Sequence, residues 1–122
     1  MNNIFGFENL AAYQRAMDLV DKVYDLIENF PTVERYALCD QLRRAVVSVP
    51  SNIAEGMGRW SNKEQVRFIE ISYGSLMETY CQLSIANRRH YISDEAFQGL
   101  ASDIENIARP LSGLRNSLNP QP

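Results

Sequence analysis

The sequence predicts an all-α fold, an antiparallel up-down bundle of four helices. Apolar residues recur at alternating steps of three and four in four successive segments, the spacing of helix faces that pack together. The connections between the segments are short, and no internal repeat or low-complexity stretch separates them. The chain has 122 residues, of which 45% are hydrophobic, which is enough for one core. We therefore expect a single domain over residues 1–122, with helices at about 8–29, 33–57, 62–90 and 94–118.

The first helix carries a seam of six apolar residues: Leu10, Tyr13, Met17, Val20, Tyr24 and Ile27. Pro31 ends this helix, because proline cannot continue the hydrogen-bond ladder and disfavours the helical conformation of Phe30 before it. Thr32 is expected to cap the second helix, since its hydroxyl can accept a hydrogen bond from a first-turn N–H.

The second helix carries an apolar stripe and a polar stripe side by side. The apolar stripe consists of Leu38, Leu42, Ala45, Val49, Ile53 and Gly56. The polar stripe consists of Gln41, Arg44, Ser48, Asn52, Glu55 and Arg59. Pro50 deprives the Val46 carbonyl of its partner, so we expect a kink, but the apolar spacing continues from Val49 to Ile53 and predicts one continuous helix. Gly56 and Gly58 are expected to terminate it.

The third helix is predicted to start at a capping box, in which Ser61 caps the helix and Glu64 reaches back to the Ser61 N–H. Its apolar seam is Val66, Ile69, Tyr73, Leu76, Tyr80 and Leu83. A ridge of small and polar residues follows beside it: Ser72, Ser75, Thr79 and Gln82. Small residues permit close approach of another helix, so we expect this ridge to serve a contact between subunits.

The fourth helix is predicted to begin at Ser93, with Asp94 and Glu95 at the positive end of the helix dipole. Its seam is Phe97, Leu100, Ile104, Ile107, Leu111, Leu114 and Leu118. Pro110 interrupts this seam without shifting it, and we expect a bend or brief break at 106–109. The tail from Asn119 to Pro122 is expected to fray.

The charge balance argues against a large basic field for non-specific nucleic-acid binding. Fifteen acidic residues against twelve basic ones give a net charge of -3 and a pI near 5.1. The N-terminus has no export signal, and the longest uncharged stretch is too short to span a bilayer. We therefore expect a soluble, cytoplasmic protein with no membrane partner. Cys39 and Cys81 form no CxxC pair and are expected to be reduced, buried thiols.

The sequence contains no recognisable parts for metal or nucleophilic chemistry. A di-iron bundle needs two Glu-x-x-His pairs, and this chain has one histidine, His90, which is better explained as a residue near a helix end. Glu55, Glu70 and Glu78 have the residue type for acid–base pairing, but helical acids near arginines are typical of solvated ion pairs. We predict no catalytic, cofactor-binding or metal-ligating residue.

The best candidates for an interface or recognition surface belong to the polar stripe and its surroundings: Arg43, Arg44, Ser48, Asn52, Glu55, Arg59, Arg67, Ser75 and Glu78. We expect a partly buried hydrogen-bonded network along the stripe. Asn52 suits either the carbonyls freed by Pro50 or the pair of Glu55 and Arg59, because an amide offers two donors and an acceptor. The arginines would be the contacts of any basic patch.

The segment from Asn52 to Arg59, followed by Ser61, resembles the four-helix-bundle family of proteins encoded by intervening sequences in bacterial 23S rRNA genes. The likeness covers most of the chain, through Phe7 and Leu10, Phe30-Pro31 with Glu34, Gln41 to Ala45, Arg67-Phe68, and Gly74 to Leu76 with Glu78. The resemblance implies a four-helix bundle and a ring of five subunits. It extends in fold to accessory variability determinants of diversity-generating retroelements, which assist a reverse transcriptase and bind nucleic acid through a basic surface.

The first hypothesis for function is a non-enzymatic, homo-oligomeric binding or scaffold protein, without cofactor, whose partners are its own copies and another protein. An accessory protein for a nucleic acid or a reverse transcriptase is the first alternative. The acidic balance departs from that branch and predicts weak or no nucleic-acid binding. An enzyme of unrecognised type is the second alternative, and it would require a concave pocket with convergent acids.

Overall fold

The structure is a computed structural model that describes residues 3–118. It contains four α-helices: α1 (Ala11–Ile27), α2 (Leu38–Met57), α3 (Asn62–Arg88) and α4 (Asp94–Leu118). Short 3₁₀ turns at Gly6–Asn9 and Thr32–Glu34 precede α1 and α2. The described residues contain no β-strand. The predicted all-α four-helix fold is therefore confirmed.

The four helices pack around one hydrophobic core. Helices α2 and α4 each pack against both α1 and α3. The largest fully buried side chains come from every helix: Leu19, Leu42, Ile53, Ile69, Leu76, Leu83, Ile107 and Leu111. Burying side chains of this size contributes roughly 1.5–3 kcal/mol each, so this layer is the main source of stability.

The predicted seam of α1 is only partly right: Ile27 is buried, and Leu10, Tyr13 and Val20 pack partly buried against the core. Met17 and Tyr24 are 44% and 41% exposed. The buried face is Ala12, Ala16, Leu19, Val23 and Ile27. The two small alanines of this face let α1 approach its neighbours, whereas Met17 and Tyr24 of the predicted seam lie in solvent. The helix is also shorter than the predicted 8–29, since a 3₁₀ turn precedes it. The Glu8 carboxylate accepts N–H bonds from Ile4 and Phe5 there, at 3.0 and 2.9 Å.

Helix α2 begins at Leu38 instead of about residue 33, because Thr32–Glu34 forms a separate 3₁₀ turn. This turn has no side-chain cap, so the role predicted for Thr32 is wrong. The Glu34 carboxylate instead accepts the Leu38 N–H at 3.4 Å and the Tyr91 hydroxyl at 2.9 Å. The helix continues across Pro50 as predicted, and its whole apolar stripe is buried.

Helix α3 buries Val66, Ile69, Leu76 and Leu83 of the predicted seam, but not its two tyrosines. Tyr73 and Tyr80 are 37% and 40% exposed, whereas Ser72, Thr79 and Gln82 are buried. The Ser72 hydroxyl donates to the Val49 carbonyl of α2 at 2.8 Å. The polar ridge is therefore used inside the protomer, and the expectation that it forms a subunit contact is wrong for its buried members.

The ends of α3 follow known capping geometry. The Ser61 hydroxyl accepts the Glu64 N–H at 3.2 Å, as predicted, but the Glu64 carboxylate lies 3.6 Å from Arg67 instead of reaching back. At the other end, His90 has a φ of 64°, and its N–H bonds to the Asn87 carbonyl at 3.0 Å. The Tyr91 N–H bonds to the Ala86 carbonyl at 2.9 Å, which completes a Schellman motif.

Helix α4 is capped by Ser93, whose hydroxyl accepts the Ala96 N–H at 3.0 Å. The helix runs unbroken through Pro110, so the expected break at 106–109 does not occur. Pro110 leaves the Asn106 carbonyl without its usual partner, and the Arg15 guanidinium of α1 donates to this carbonyl at 2.8 Å. A neighbouring helix thereby satisfies the group that the proline frees. The tail at 119–122, expected to fray, lies outside the described residues.

The two cysteines differ in environment. Cys39 is buried, as expected, but Cys81 is exposed, so the prediction of two buried thiols is wrong for Cys81. Cys81 lies on the solvent-facing side of α3. Within residues 3–118, none of the helices has both the length and the apolar character needed to cross a bilayer.

Candidate recognition surface on α2 and α3

Three side chains form a hydrogen-bonded cluster where α2 meets α3. The Ser48 and Ser75 hydroxyl oxygens lie 2.8 Å apart. The Asn52 amide donates to both the carbonyl and the hydroxyl of Ser48, each at 2.8 Å. Asn52 thus binds the preceding turn of its own helix, and it reaches neither the Val46 carbonyl nor the Glu55 carboxylate. The cluster fixes the rotamers of polar groups that are partly open to solvent.

Gly56 allows the two helices to come close just beyond this cluster. A Cβ atom added at Gly56 would lie 2.9 Å from the Cβ of Phe68 and 3.4 Å from the Gln65 carbonyl oxygen. Real Cβ atoms essentially never approach another heavy atom so closely. Gly58, by contrast, has an ordinary helical φ of −84°. The helix ends at Met57 with Gly58 as its C-cap, as predicted, whereas Gly56 lies inside the helix and serves helix packing.

The end of the surface is built around the Phe68 ring. The guanidinium carbons of Arg59 and Arg67 lie 4.7 and 5.3 Å from the ring centroid, within cation–π distance. Arg59 also pairs with Glu55 at 3.1 Å, and Arg67 with Glu64 at 3.6 Å. Each positive charge is therefore matched by a nearby carboxylate. The two guanidinium groups are thus held in place on the Phe68 ring, and their net contribution to a positive surface potential is small.

The structure brings six of the nine predicted residues into the contacts of this α2/α3 surface. They are Ser48, Asn52 and Glu55 on α2, Arg59 on the α2–α3 connection, and Arg67 and Ser75 on α3; Arg44 and Glu78 lie on the same two helices without a hydrogen bond or ion pair to these residues. Only Ser48, Asn52 and Ser75 form the partly buried network, because Glu55 and Arg59 are exposed. Arg44 is exposed and has no ion-pair partner within residues 3–118.

Arg43 lies apart from the other predicted residues. It pairs with Asp40 at 2.7 Å and lines a hollow beside the α1–α2 connection, together with Cys39. Burial raises the pKa of the Cys39 thiol, and the charge of Arg43 acts in the opposite direction. One residue along a helix is a rotation of 100°, so Arg43 and Arg44 face different neighbours.

Sequence reasoning missed two residues that add apolar area to this part of the molecule. Ile71 is 40% exposed and lies between Arg67 and Ser75 at helical spacing of four, which was the available signal. Trp60, at the α2–α3 connection, is fully exposed at 101%. A single tryptophan directly after Arg59 gives no periodic signal, because it belongs to no helix.

Two side-chain oxygens close to the α2–α3 contact have no hydrogen-bond partner among residues 3–118: the Oε1 atoms of Gln65 and Gln82. The Gln82 amide nitrogen donates to Glu78 at 3.4 Å, and that of Gln65 to the Arg59 carbonyl at 2.9 Å. Within the same part of the chain, no group of three or more His, Cys, Asp or Glu residues is arranged to hold a metal ion.

Comparisons with known proteins give a family and a fold. A family model described as 23S rRNA-intervening sequence protein matches residues 8–113. Among solved structures, a protein of unknown function from the S23 ribosomal protein family of Bacteroides thetaiotaomicron VPI-5482 is similar, with a TM-score of 0.79 and 18% identity. The similarity covers 86% of this chain and 95% of that one. At this identity it shows a common fold. A search of curated proteins found no match.

Proposed function

The chain belongs to the 23S rRNA-intervening sequence protein family, and we propose that it works as a non-enzymatic, oligomeric binding or scaffold protein. Its recognition surface is the α2/α3 surface, and the partner recognised there is a protein. The observation that carries this proposal is the cluster of Ser48, Asn52 and Ser75, which holds polar groups in fixed positions at a half-exposed contact.

The composition of the α2/α3 surface favours a protein partner. It combines fixed hydrogen-bonding groups with apolar area from Ile71 and with arginines lying on Phe68. Arginine, aromatic area and depletion of unpaired charge are typical of protein–protein contacts. A basic patch for nucleic acid would instead require several arginines free of carboxylates, whereas Arg59 and Arg67 are both paired and Arg44 alone of these three has no ion-pair partner in the described part of the chain.

The surface carboxylates also favour a role in binding over catalysis. Glu55, Glu64 and Glu70 each contact an arginine at 3.1, 3.6 and 2.9 Å. Exposed pairs of this kind contribute modestly to stability and leave the acid little freedom for proton transfer.

The proposal includes an arrangement and an assembly state. Arg15 of α1 contacts Asn106, whereas Lys22, later in α1, contacts Asp103, earlier in α4. This reversed order supports an antiparallel up-down bundle that folds as one domain. The proposed assembly is a ring of five copies, which the family resemblance implies, and the proposed location is the cytoplasm.

The test combines a mass measurement with site-specific cross-linking. Light scattering at micromolar concentration should give a multiple of 13.9 kDa, five copies being expected. A photo-cross-linking residue at Ile71 should then give one discrete protein product in bacterial cells. The same residue at Val47 should not, although the two side chains are similarly exposed at 40% and 38%.

Two results would contradict the proposal. A mass of 13.9 kDa at all concentrations would exclude the oligomer. Equal cross-linking from positions 47 and 71, or none from 71, would exclude the α2/α3 surface as the site of recognition.

A further inference from the structure

We infer that Trp60 of one copy docks into the groove between α3 and α4 of a second copy, and that this contact joins the subunits. The inference rests on the oligomeric part of the proposed function. It assigns a specific residue and a specific receiving site to the assembly, and it leaves the α2/α3 surface free for another protein.

Trp60 is the protruding half of this contact. It is the single tryptophan of the chain, and its side chain is fully exposed, at 101%. A tryptophan typically buries roughly 150–250 Å² in cores and interfaces. A fully exposed indole gives the protein none of the free energy that this burial would provide. Trp60 also lies at the α2–α3 connection, outside the helices, where its side chain supports nothing in its own protomer. Tryptophan is enriched at protein interfaces, and a contact with another molecule would remove this indole from water.

The receiving half is a groove of about 480 Å³ between α3 and α4. Met77 and Tyr80 form its α3 side, and each is about two-fifths exposed, at 38% and 40%. Ala101, Ile104 and Ala108 form its α4 side. The two alanines leave room opposite the larger residues of α3, and this room is large enough to admit an indole side chain.

The groove also contains polar groups that can bind the indole N–H. Gln98, Ser102 and Glu105 line it and provide oxygen acceptors for the indole N–H. Glu105 is the one charged residue among the described residues that line the groove. Its pair with Arg109, at 3.2 Å, is highly exposed on both sides and therefore weak.

Lys63 supplies the complementary charge near Trp60. It lies three residues beyond the tryptophan and has no ion-pair partner within residues 3–118. A basic residue three positions from the tryptophan and an acid at the groove favour a second copy of this chain over an apolar surface of arbitrary charge.

The contact is heterologous, because the protruding residue and the groove belong to different parts of the surface. Each copy offers one Trp60 and one groove, so contacts repeat from copy to copy and end only when a ring closes. The complete exposure of Trp60 shows that it does not fill the groove of its own protomer.

The single tryptophan makes the test direct. We expect Trp60 fluorescence to become resistant to acrylamide quenching as concentration rises, in step with the mass from light scattering. Ala101→Arg should fill the groove, restore quenching and lower the mass to 13.9 kDa. Met17→Arg is the control, since Met17 is also an exposed apolar residue, 44%, but lies on α1. It should change neither measurement.

Mixing two variants tests the heterologous geometry. Trp60→Ser keeps the groove and cannot disturb the fold through lost contacts, while Ala101→Arg keeps the tryptophan. Each alone should be monomeric, and the mixture should give about twice 13.9 kDa, because one contact forms and no ring closes. Circular dichroism should show unchanged helicity in both.

The outcomes separate this inference from the proposed function. An oligomer that keeps its mass after Trp60→Ser overturns the inference alone. A wild-type chain of 13.9 kDa at every concentration overturns both. Protection of Trp60 by a single-stranded oligonucleotide without any change in protein mass would also overturn the inference and favour the nucleic-acid alternative.

Discussion

At the scale of single residues, Gly56 sets the distance between α2 and α3. A Cβ atom there would lie 2.9 Å from the Cβ of Phe68, which is fixed to the α3 backbone and cannot rotate away. We expect Gly56→Ala to lower the free energy of unfolding by ~1–3 kcal/mol, the usual cost of overpacking. Chemical denaturation monitored by circular dichroism measures this change.

Gly74→Ala is the matched control. Gly74 is also helical, but a Cβ atom there meets nothing within 4 Å. Alanine should stabilise that helix by ~0.5–1 kcal/mol, because glycine loses more backbone freedom on folding. Equal effects of the two substitutions would show that the close approach at Gly56 does not limit packing.

The two cysteines should differ strongly in reactivity. Burial raises the pKa of the Cys39 thiol, so less of the reactive thiolate is present at neutral pH, and the sulfur is also shielded. Cys81 is exposed. We expect iodoacetamide to modify one cysteine of the native protein quickly and the second only after unfolding, as measured by mass spectrometry. Cys81→Ser should remove the fast reaction, and a fast reaction that persists in this variant would contradict the structure.

At the scale of helices, Pro110 and Arg15 form a compensating pair. The proline frees the Asn106 carbonyl, and Arg15 donates to it at 2.8 Å. Arg15→Met should therefore cost about 1 kcal/mol in the wild-type background. In a Pro110→Ala background the cost should shrink, because the alanine N–H restores the helical hydrogen bond to Asn106. Thermal or chemical unfolding of the four variants gives the coupling energy.

Lys22→Met provides the control for this cycle. Lys22 also links α1 to α4, through Asp103 at 2.8 Å, but its partner is not affected by the proline. Its substitution should add independently to Pro110→Ala. Coupling of similar size for Lys22 and Arg15 would mean that Pro110→Ala shifts α4 as a whole.

The helices also show how far the sequence alone could predict this fold. In α2 the apolar and polar stripes are distinct, so its buried face was predictable from Leu38 to Gly56. In α3 a tyrosine-containing seam and a ridge of small residues run side by side, and the helix buries part of each. Ser72 is buried where its hydroxyl donates to the Val49 carbonyl of α2. The residue spacing within α3 alone cannot predict this contact, because it depends on the position of α2.

The candidate site was predictable to a similar extent. The shared helical face of Ser48, Asn52 and Glu55 follows from their spacing. The contact between Ser48 and Ser75 does not, because it depends on how α2 and α3 align. Arg43 was wrongly grouped with Arg44 because adjacent arginines suggest one patch, although a helix turns them toward different sides.

At the scale of the whole molecule, α3 is the helix with the most exposed large apolar residues. This helix presents Ile71, Tyr73, Met77, Tyr80 and Ile85, each between 37% and 44% exposed. It packs against both α2 and α4, yet its two flanks still retain apolar residues in solvent. Large exposed apolar areas are typical of interaction sites, so α3 is the helix around which both the assembly and the recognition surface are best organised.

The distribution of charge over the molecule predicts weak binding to nucleic acid. The net charge is -3, and Arg43, Arg59 and Arg67 each lie within 4 Å of a carboxylate. These three arginines are therefore neutralised locally, and the net negative charge of the chain opposes a polyanion, so little counterion release would drive binding. We expect dissociation constants above the micromolar range for generic RNA and duplex DNA at about 0.15 M salt. Fluorescence anisotropy measures them.

The double substitution Glu55→Gln and Glu64→Gln should strengthen binding and steepen its salt dependence by freeing Arg59 and Arg67, whereas Glu95→Gln on α4 should not. Submicromolar binding by the unaltered chain would mean that these arginines leave their carboxylates for phosphate, and the accessory role would then be preferred.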